Sequence, residues 1–236
     1  MHTKEQKLIE NSDTRYIGFL SRLINFLEDV LEDAECETIY VSRNIMDHGV
    51  VEPVYIKPIN CFYDPAESTK IFADEWELEG LITISHGDLD FKELYYHIPR
   101  VYSLGIHYML KDYALKTMAS HREYYFAILF NGKAFLVEGE KNQVFIPYVR
   151  HCLSAHTHPA RIAIPSGQDL KTITKTMLNR GFLHAIESIG QSLVFYRIAP
   201  FTEDDLITIM KLGFLDDYRE IIDTFRKLKS LRAMVI

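Results

Sequence analysis

Residues 152–170, CLSAHTHPARIAIPSGQDL, decide the fold predicted for this chain. Residues 152–155 lead as a short strand into His156, and Pro159 ends that strand because proline lacks a backbone donor. After a loop, Pro165 and Ser166 open a helix, for which Gly181 is the predicted glycine C-cap. The segment therefore predicts a strand, a loop and a helix in succession.

Two histidines and one aspartate of this segment are candidate metal ligands. His156 and His158 stand at positions i and i+2 at the end of the strand, so both imidazoles point to the same side. Asp169 lies on the first turn of the helix and can point back toward them. Two nitrogens and one carboxylate suit Zn²⁺, and three protein ligands leave a fourth position for water, as in catalytic sites.

Each half of this pattern also has a simpler interpretation. A pair of histidines spaced by one residue is common on exposed strands, and Ser166 with Asp169 forms a helix capping box on its own. Their combination at this spacing and in this order favours a metal site. Capping and metal binding are compatible, because the cap fixes the helix start that directs Asp169.

The first hundred residues predict an α+β region of unknown role. Over 13–33, apolar residues recur every three to four positions, which predicts an amphipathic helix with Ser12 or Asp13 as its N-cap. The β-branched runs 37–42 and 50–59 predict a hairpin. Residues 1–12 are expected to be loose, and residues 81–85 to form a short strand. The acidic stretch 64–79 has no assigned structure.

After residue 100 the sequence predicts a helix followed by a central apolar strand. Residues 103–119 predict a helix, and 124–130, YYFAILF, are apolar throughout, as in a central strand. Asn131 and Gly132 are a strong turn signal. Further predicted elements are strands at 134–137 and 144–149 around a polar turn at 138–142, a hairpin of 182–189 and 192–198, and two short helices near 202 and 216–229.

Together these elements predict a mixed β-sheet flanked by helices, an α/β or α+β fold. We expect an N-terminal region at 1–100, a catalytic domain at 101–200 and C-terminal helices at 201–236 that pack on it.

Charge and cysteine usage narrow the class of function. The chain of 236 residues carries 26 basic and 33 acidic side chains, a net charge of −7, which argues against a general nucleic-acid binder. Cys36, Cys61 and Cys152 show no CxxC spacing, so neither a disulfide framework nor a cysteine zinc knuckle is expected, and Cys152 is expected to be buried and inert. A reducing, cytoplasmic setting fits, with no signal peptide and no membrane span.

The motif resembles that of a known enzyme family. His156 and His158, followed after seven residues by Ser166 and then Asp169, match HxH(x7)SxxD, the signature of the JAMM/MPN+ metalloproteases. Pro159 and the Pro-Ser-x-x-Asp-Leu ending also look like that family. The resemblance covers roughly residues 103–200 and implies a JAB/MPN domain, similar to the cytidine-deaminase-like layout.

The resemblance also implies roles for named residues. His156, His158 and Asp169 would bind Zn²⁺, Ser166 would stabilise the tetrahedral intermediate, and Glu123, directly before the apolar strand, would act as general base. The interval from Glu123 to His156 is short for the family, so Glu138 and Glu140 are the fallback candidates for the base.

The implied reaction is zinc-dependent hydrolysis of an isopeptide or peptide bond at the C-terminus of a ubiquitin-like modifier. The implied partners are a ubiquitin-like protein or its conjugates, without nucleic acid or membrane, and a homo-oligomer is compatible with the pattern. The alternative is a non-catalytic MPN-type scaffold that binds a modifier or partner protein. An amidohydrolase barrel would need eight βα units, which the sequence does not contain.

Overall fold

The computed structural model describes residues 5–47, 53–141, 149–212 and 218–236. These ranges form two β-sheets with helices packed on them, which confirms the predicted α+β fold. In spatial order, the larger sheet contains β1 (Gln6–Ile9), β7 (Ala134–Lys141), β6 (Arg122–Ile128), β8 (Leu153–Thr157), β9 (Leu183–Glu187), β10 (Leu193–Arg197) and β11 (Leu231–Val235). The smaller sheet contains β4 (Ile82–Ile84), β3 (Val54–Ile59), β2 (Thr38–Val41) and β5 (Leu89–Asp90).

The helices are α1 (Ser12–Asp33), α2 (Pro65–Glu75), α3 (Leu94–Val101), α4 (His107–Ser120), α5 (Gly167–Leu178), α6 (Glu203–Leu212) and α7 (Tyr218–Phe225). A π-helical segment, Tyr102–Ile106, joins α3 and α4 into one continuous helical stretch. Short 3₁₀ turns lie at Arg43–Met46 and Phe91–Glu93. Among the described residues, no helix combines the length and the apolar character that crossing a membrane requires.

Strand β8 lies at the centre of the larger sheet, antiparallel to β6 and parallel to β9. Every residue of β8 and of β9 is buried, so both faces of the sheet are covered there. Helices α1, α3 and α4 share one apolar core with one face, while α5, α6 and α7 pack with Ile186 and Phe195 on the other. Ala155 belongs to the first core, so the alternation of side chains directs His156 toward α5.

Helix α1 confirms the periodicity of the sequence, with Leu20, Leu23 and Ile24 fully buried. Its N-cap is Asn11, one residue before the predicted Ser12. The Asn11 side chain accepts from the Thr14 backbone N–H at 2.9 Å, and Thr14 Oγ1 accepts from the Asn11 N–H at 3.0 Å. This reciprocal pair is a capping box, which satisfies donors at the helix start.

Two predictions about the edge of the larger sheet are wrong. Residues 6–9 are not loose but form β1, which pairs antiparallel with β7. The predicted polar turn at 138–142 is instead strand through Lys141, because β7 pairs with β6 as far as Lys141 opposite Arg122. The Glu138 carboxylate also accepts from the Glu5 N–H at 2.9 Å and from Arg122 at 3.3 Å. The strand predicted at 144–149 falls almost wholly outside the described residues.

The helix boundaries differ from the prediction at two places. The helix expected from residue 103 instead belongs to a helical stretch that starts at Leu94. Pro99 lies inside α3 without ending it, and the π-helical segment connects α3 to α4. Gly181 is not the C-cap of α5: Asn179 takes that place and Arg180 adopts a φ of 63°. A Cβ on Gly181 would lie 2.6 Å from Thr176 Cγ2, so this glycine permits a close chain approach.

The cysteines also differ from expectation. Cys36 and Cys61 form a disulfide, which brings together the end of α1 and the end of β3 across 25 residues of chain. The absence of CxxC spacing did not exclude this bond, because the two cysteines meet through the tertiary fold. Cys152 is free and fully buried, as predicted.

Other predicted elements are confirmed. The β2–β3 and β9–β10 pairs are antiparallel, and β4, β6, α5, α6 and α7 lie where the sequence placed them. The unassigned stretch 64–79 contains α2, and the C-terminus adds β11, which pairs with β10. The predicted boundary near residue 100 falls within α3, and the division into domains stays a prediction.

Candidate metal centre

The end of β8 positions the two histidines. His156 is in register with Tyr125 of β6 and with Ile186 of β9. The pairing continues one step past the strand, because the His158 N–H donates to the Glu187 carbonyl at 2.8 Å. Both imidazoles therefore leave an extended backbone on the same side, as the i, i+2 spacing predicts.

The start of α5 positions the carboxylate. Ser166 is the N-cap: its Oγ accepts from the Asp169 N–H at 3.2 Å, while Asp169 Oδ2 accepts from the Ser166 N–H at 2.6 Å. This capping box fixes both the first turn of the helix and the direction of the Asp169 side chain. Ser166 thus uses one lone pair of its Oγ for the cap, which leaves its hydroxyl hydrogen available to donate.

The three predicted ligands converge. His156 Nε2 lies 3.0 Å from His158 Nε2 and 2.9 Å from Asp169 Oδ1, and His158 Nε2 lies 3.5 Å from Asp169 Oδ2. One ligand atom from each residue lies within 4.8 Å of the others, so the group could hold a metal ion. Neighbouring ligands of tetrahedral Zn²⁺ are separated by about 3.3 Å when the metal–ligand bonds are about 2.0–2.1 Å. The observed spacings lie around that value.

Burial and charge set the protonation states of these side chains. Burial lowers the pKa of His158 to about 4, with the neighbouring His156 adding to the effect and Asp169 opposing it. Burial alone would raise the pKa of Asp169, but hydrogen bonds from His156 and Ser166 hold it well below its usual range. At neutral pH the site therefore presents a neutral His158 imidazole and an ionised carboxylate, the forms that bind cations.

Glu123 lies beside this group, at the start of β6. Burial raises the pKa of its carboxyl, His156 lowers it, and the negative charge of Asp169 raises it further. The β6–β8 register sets Tyr125 opposite His156, so Glu123 stands at the end of β6 that lies beside the end of β8. A carboxyl with a raised pKa can take up and return a proton at moderate pH, as a general base must.

The fallback glutamates differ from Glu123. The Glu138 carboxylate is buried on β7 and accepts from Glu5 and Arg122, so it ties β1 and β6 to β7. The strand β7 is separated from β8 by β6. The side chain of Glu140 lies outside the described part of the chain.

His184 packs against the ligand His156, a structural role consistent with its position in a predicted strand. It is fully buried on β9, its Nδ1 lies 2.8 Å from Ser154 Oγ, and its ring centroid lies 5.2 Å from that of His156. Burial lowers the pKa of His184 well below its usual value, with His156 as the next cause. A neutral ring therefore packs against the His156 imidazole.

Sequence reasoning missed a second polar cluster, on the opposite face of the sheet. Glu187 is fully buried and accepts from Tyr102 and Ser192, with His107 Nδ1 at 3.1 Å. Tyr102 and His107 are five residues apart, and the π-helical segment aligns them on one side of the helix. The cluster anchors the strand residue whose carbonyl holds His158. No local sequence signal marks it, because its members come from separate elements.

Comparison with protein-family models, curated proteins and solved structures found no match to this chain. The resemblance to the JAMM/MPN+ family therefore rests on the motif residues.

Proposed function

We propose that the chain is a zinc-dependent amide hydrolase of the JAMM/MPN+ type. Its substrate would be an isopeptide or peptide bond at the C-terminus of a ubiquitin-like modifier, and the modifier or its conjugates would be its partners. The observation that carries the proposal is the convergence of His156, His158 and Asp169 within ligand distance of one another. The JAB-like layout and a cytoplasmic location belong to the same proposal.

The donor set fits zinc. Two imidazole nitrogens and one carboxylate oxygen would hold the ion and leave a fourth ligand position for water, as in hydrolytic zinc sites. Asp169 is held by the Ser166 N–H, and His156 is backed by His184, so the neighbours of the ligands restrict their orientation. A bound zinc ion supplies Lewis-acid polarisation and lowers the pKa of water to near 7.

Glu123 would perform the proton transfers. Its carboxylate would accept a proton from the attacking water and then donate it to the leaving amine. Burial raises the pKa of its carboxyl, which favours uptake of the proton in the first transfer. General acid–base catalysis of this kind contributes about 10²–10⁴-fold to the rate.

Ser166 would stabilise the negative charge that develops on the substrate carbonyl oxygen. Its Oγ accepts the capping hydrogen bond from Asp169, so its hydroxyl hydrogen is the group that donates outward. A well-placed donor of this kind lowers the barrier by about 3–4 kcal/mol. The capping bond holds the hydroxyl in place before substrate arrives.

The test compares wild type with Glu123→Gln and His158→Ala, measuring zinc content and hydrolysis of modifier conjugates on the same preparations. We expect about one zinc per chain in wild type and in Glu123→Gln, and none in His158→Ala. Hydrolysis should fall at least 100-fold in Glu123→Gln, because only the proton acceptor is lost. His86→Ala, which changes an exposed histidine in the connection between β4 and β5, is the matched control and should change neither quantity.

Hydrolysis that survives in Glu123→Gln contradicts the role of Glu123. Wild-type protein that takes up no zinc contradicts the metal site. Zinc-loaded protein that binds modifier conjugates without cleaving them supports the scaffold alternative instead. The cytoplasmic location is tested by counting free thiols in protein from the cell, since the Cys36–Cys61 disulfide is uncommon in a reducing compartment.

A further inference from the structure

A groove runs between α5 and α6, and its lining includes the first turn of α5. It has a volume of about 1140 Å³, and twelve described residues line it. From α5 these are Gly167, Gln168, Leu170, Lys171, Thr174, Lys175 and Leu178, and from α6 they are Leu206, Ile207, Ile209, Met210 and Lys211. Its size and its two helical walls match the shape that a further helix or an extended segment would fill.

The walls of this groove are apolar and exposed. Leu178 on α5 is 55% exposed, and Ile207 and Met210 on α6 are 45% and 65% exposed. Beneath them, Leu170 and Ile209 are buried and form the floor. Large apolar side chains grouped in one concavity mark interaction surfaces more often than isolated exposed ones do.

The rim of the groove is positively charged. Lys171, Lys175 and Lys211 line it, and none of the twelve lining residues is acidic. On α5, Lys171, Lys175 and Leu178 follow the i, i+4, i+7 pattern of one helix face, so charge and apolar surface lie side by side. The whole chain carries a net charge of −7, so this local excess of lysine stands out against the rest of the sequence.

One end of the groove lies at the first turn of α5, which also carries Asp169 on another face of the helix. Gly167 and Gln168 line its end, and they lie between the cap residue Ser166 and the ligand Asp169. From Gly167 to Leu178 the helix axis advances about 16 Å at about 1.5 Å per residue. A segment docked along this wall would span about three helical turns and end beside Ser166.

We propose that this groove docks an acidic amphipathic segment of the protein substrate, with its apolar face on Leu178, Ile207 and Met210 and its carboxylates against Lys171 and Lys211. The proposal rests on the proposed function, because it assigns the groove to the substrate of that same site. Charge complementarity selects the acidic partner and accelerates its association at low ionic strength.

Two other occupants fit the surface less well. A second copy of the chain, related by a two-fold axis, would bring the same lysines face to face, which is unfavourable. An anionic membrane is flat, whereas the floor residues Leu170 and Ile209 lie below the helix ridges and out of its reach. Both occupants remain as outcomes of the test.

The test measures binding of a fluorescein-labelled helical peptide of 18 residues, with leucines on one face and glutamates flanking them. A second peptide carries lysines in place of the glutamates. We expect the acidic peptide to bind at least tenfold more tightly, and more weakly as salt rises. Met210→Asp should weaken binding at least tenfold, while Leu115→Asp, at a matched exposed position on α4, should leave it unchanged.

Charge reversal gives the sharper result. Lys171→Glu combined with Lys211→Glu should reduce binding of the acidic peptide at least tenfold and create a preference for the basic one. Equal binding of both peptides by wild type, or insensitivity to Met210→Asp, overturns the proposal. It is also overturned by binding to vesicles of phosphatidylcholine and phosphatidylserine that Met210→Asp abolishes, or by a dimer in sedimentation equilibrium that the same variant dissociates.

Zinc and hydrolysis separate this proposal from the proposed function. With a modifier conjugate carrying the acidic segment, Met210→Asp should raise KM at least tenfold and leave kcat unchanged. Peptide binding by a protein that never hydrolyses a conjugate supports the groove and contradicts the hydrolase. Hydrolysis that is independent of both the acidic segment and Met210 contradicts the groove and leaves the hydrolase standing.

Discussion

Replacing His158 by glutamine in the metal-free protein should reveal a pH-dependent contribution to stability. Burial lowers the folded-state pKa of His158 to about 4, whereas an unfolded chain has a histidine pKa of about 6.5. Between these values the unfolded state binds a proton at His158 and the folded state does not. Stability is therefore retained above pH 6.5 and is lost as the pH falls from 6.5 toward 4.

The size of the loss follows from the two pKa values. At pH 5 the wild type should lose about 2 kcal/mol relative to neutral pH through this residue, and at pH 4 about 3 kcal/mol. The side chain is 16% exposed, so screening by solvent changes these figures little. His158→Gln removes the titrating group while keeping a polar side chain of similar reach.

Urea unfolding of both proteins in the presence of a chelator, from pH 7 to pH 4, measures the effect. The quantity to plot is the unfolding free energy of wild type minus that of His158→Gln, which cancels the titrating groups that lie away from His158. This difference should fall by about 2 kcal/mol between pH 7 and pH 5. A difference that stays flat, or that grows as the pH falls, refutes the assignment of a buried neutral imidazole.

Two further outcomes concern the fold. Gly181→Ala should lower the free energy of unfolding by about 1–3 kcal/mol in urea. The reason is that the new Cβ would lie 2.6 Å from Thr176 Cγ2 and 2.8 Å from the Thr176 carbonyl oxygen. Unchanged stability would show that the loop adjusts freely. Replacing Cys36 and Cys61 together by serine should lower the free energy of unfolding by about 3.5 kcal/mol, the loop-closure value for a separation of 25 residues. Thermal unfolding of wild type and of the double variant, both without reductant, measures this difference.

The candidate site could be predicted because its residues are local in sequence. His156, His158 and Asp169 belong to one strand, one loop and one helix start, so the i, i+2 alternation and the capping box already specify their directions. Helix α1 was predictable for a similar reason, since its apolar period is long and regular.

Long-range features gave no comparable signal. Strand β1 is short, and Leu8 is 91% exposed within it, so it has no alternating apolar pattern and depends on pairing with β7. The disulfide joins cysteines that meet only after α1 and β3 have packed. The start of α3 was missed because Pro99 is a helix-breaking signal, which the continuous helical stretch overrides.

The two bonds of the Asp169 carboxylate have a consequence for how an ion would enter and leave. One oxygen is tied to the backbone at the beginning of α5, and the other faces His156. Folding therefore fixes the Asp169 side chain in the rotamer that binds the ion. A cation that binds does not have to order this side chain, so the entropic cost of binding is lower. Exchange of the ion could then proceed at the mouth of the site, without unwinding the helix that supplies the ligand.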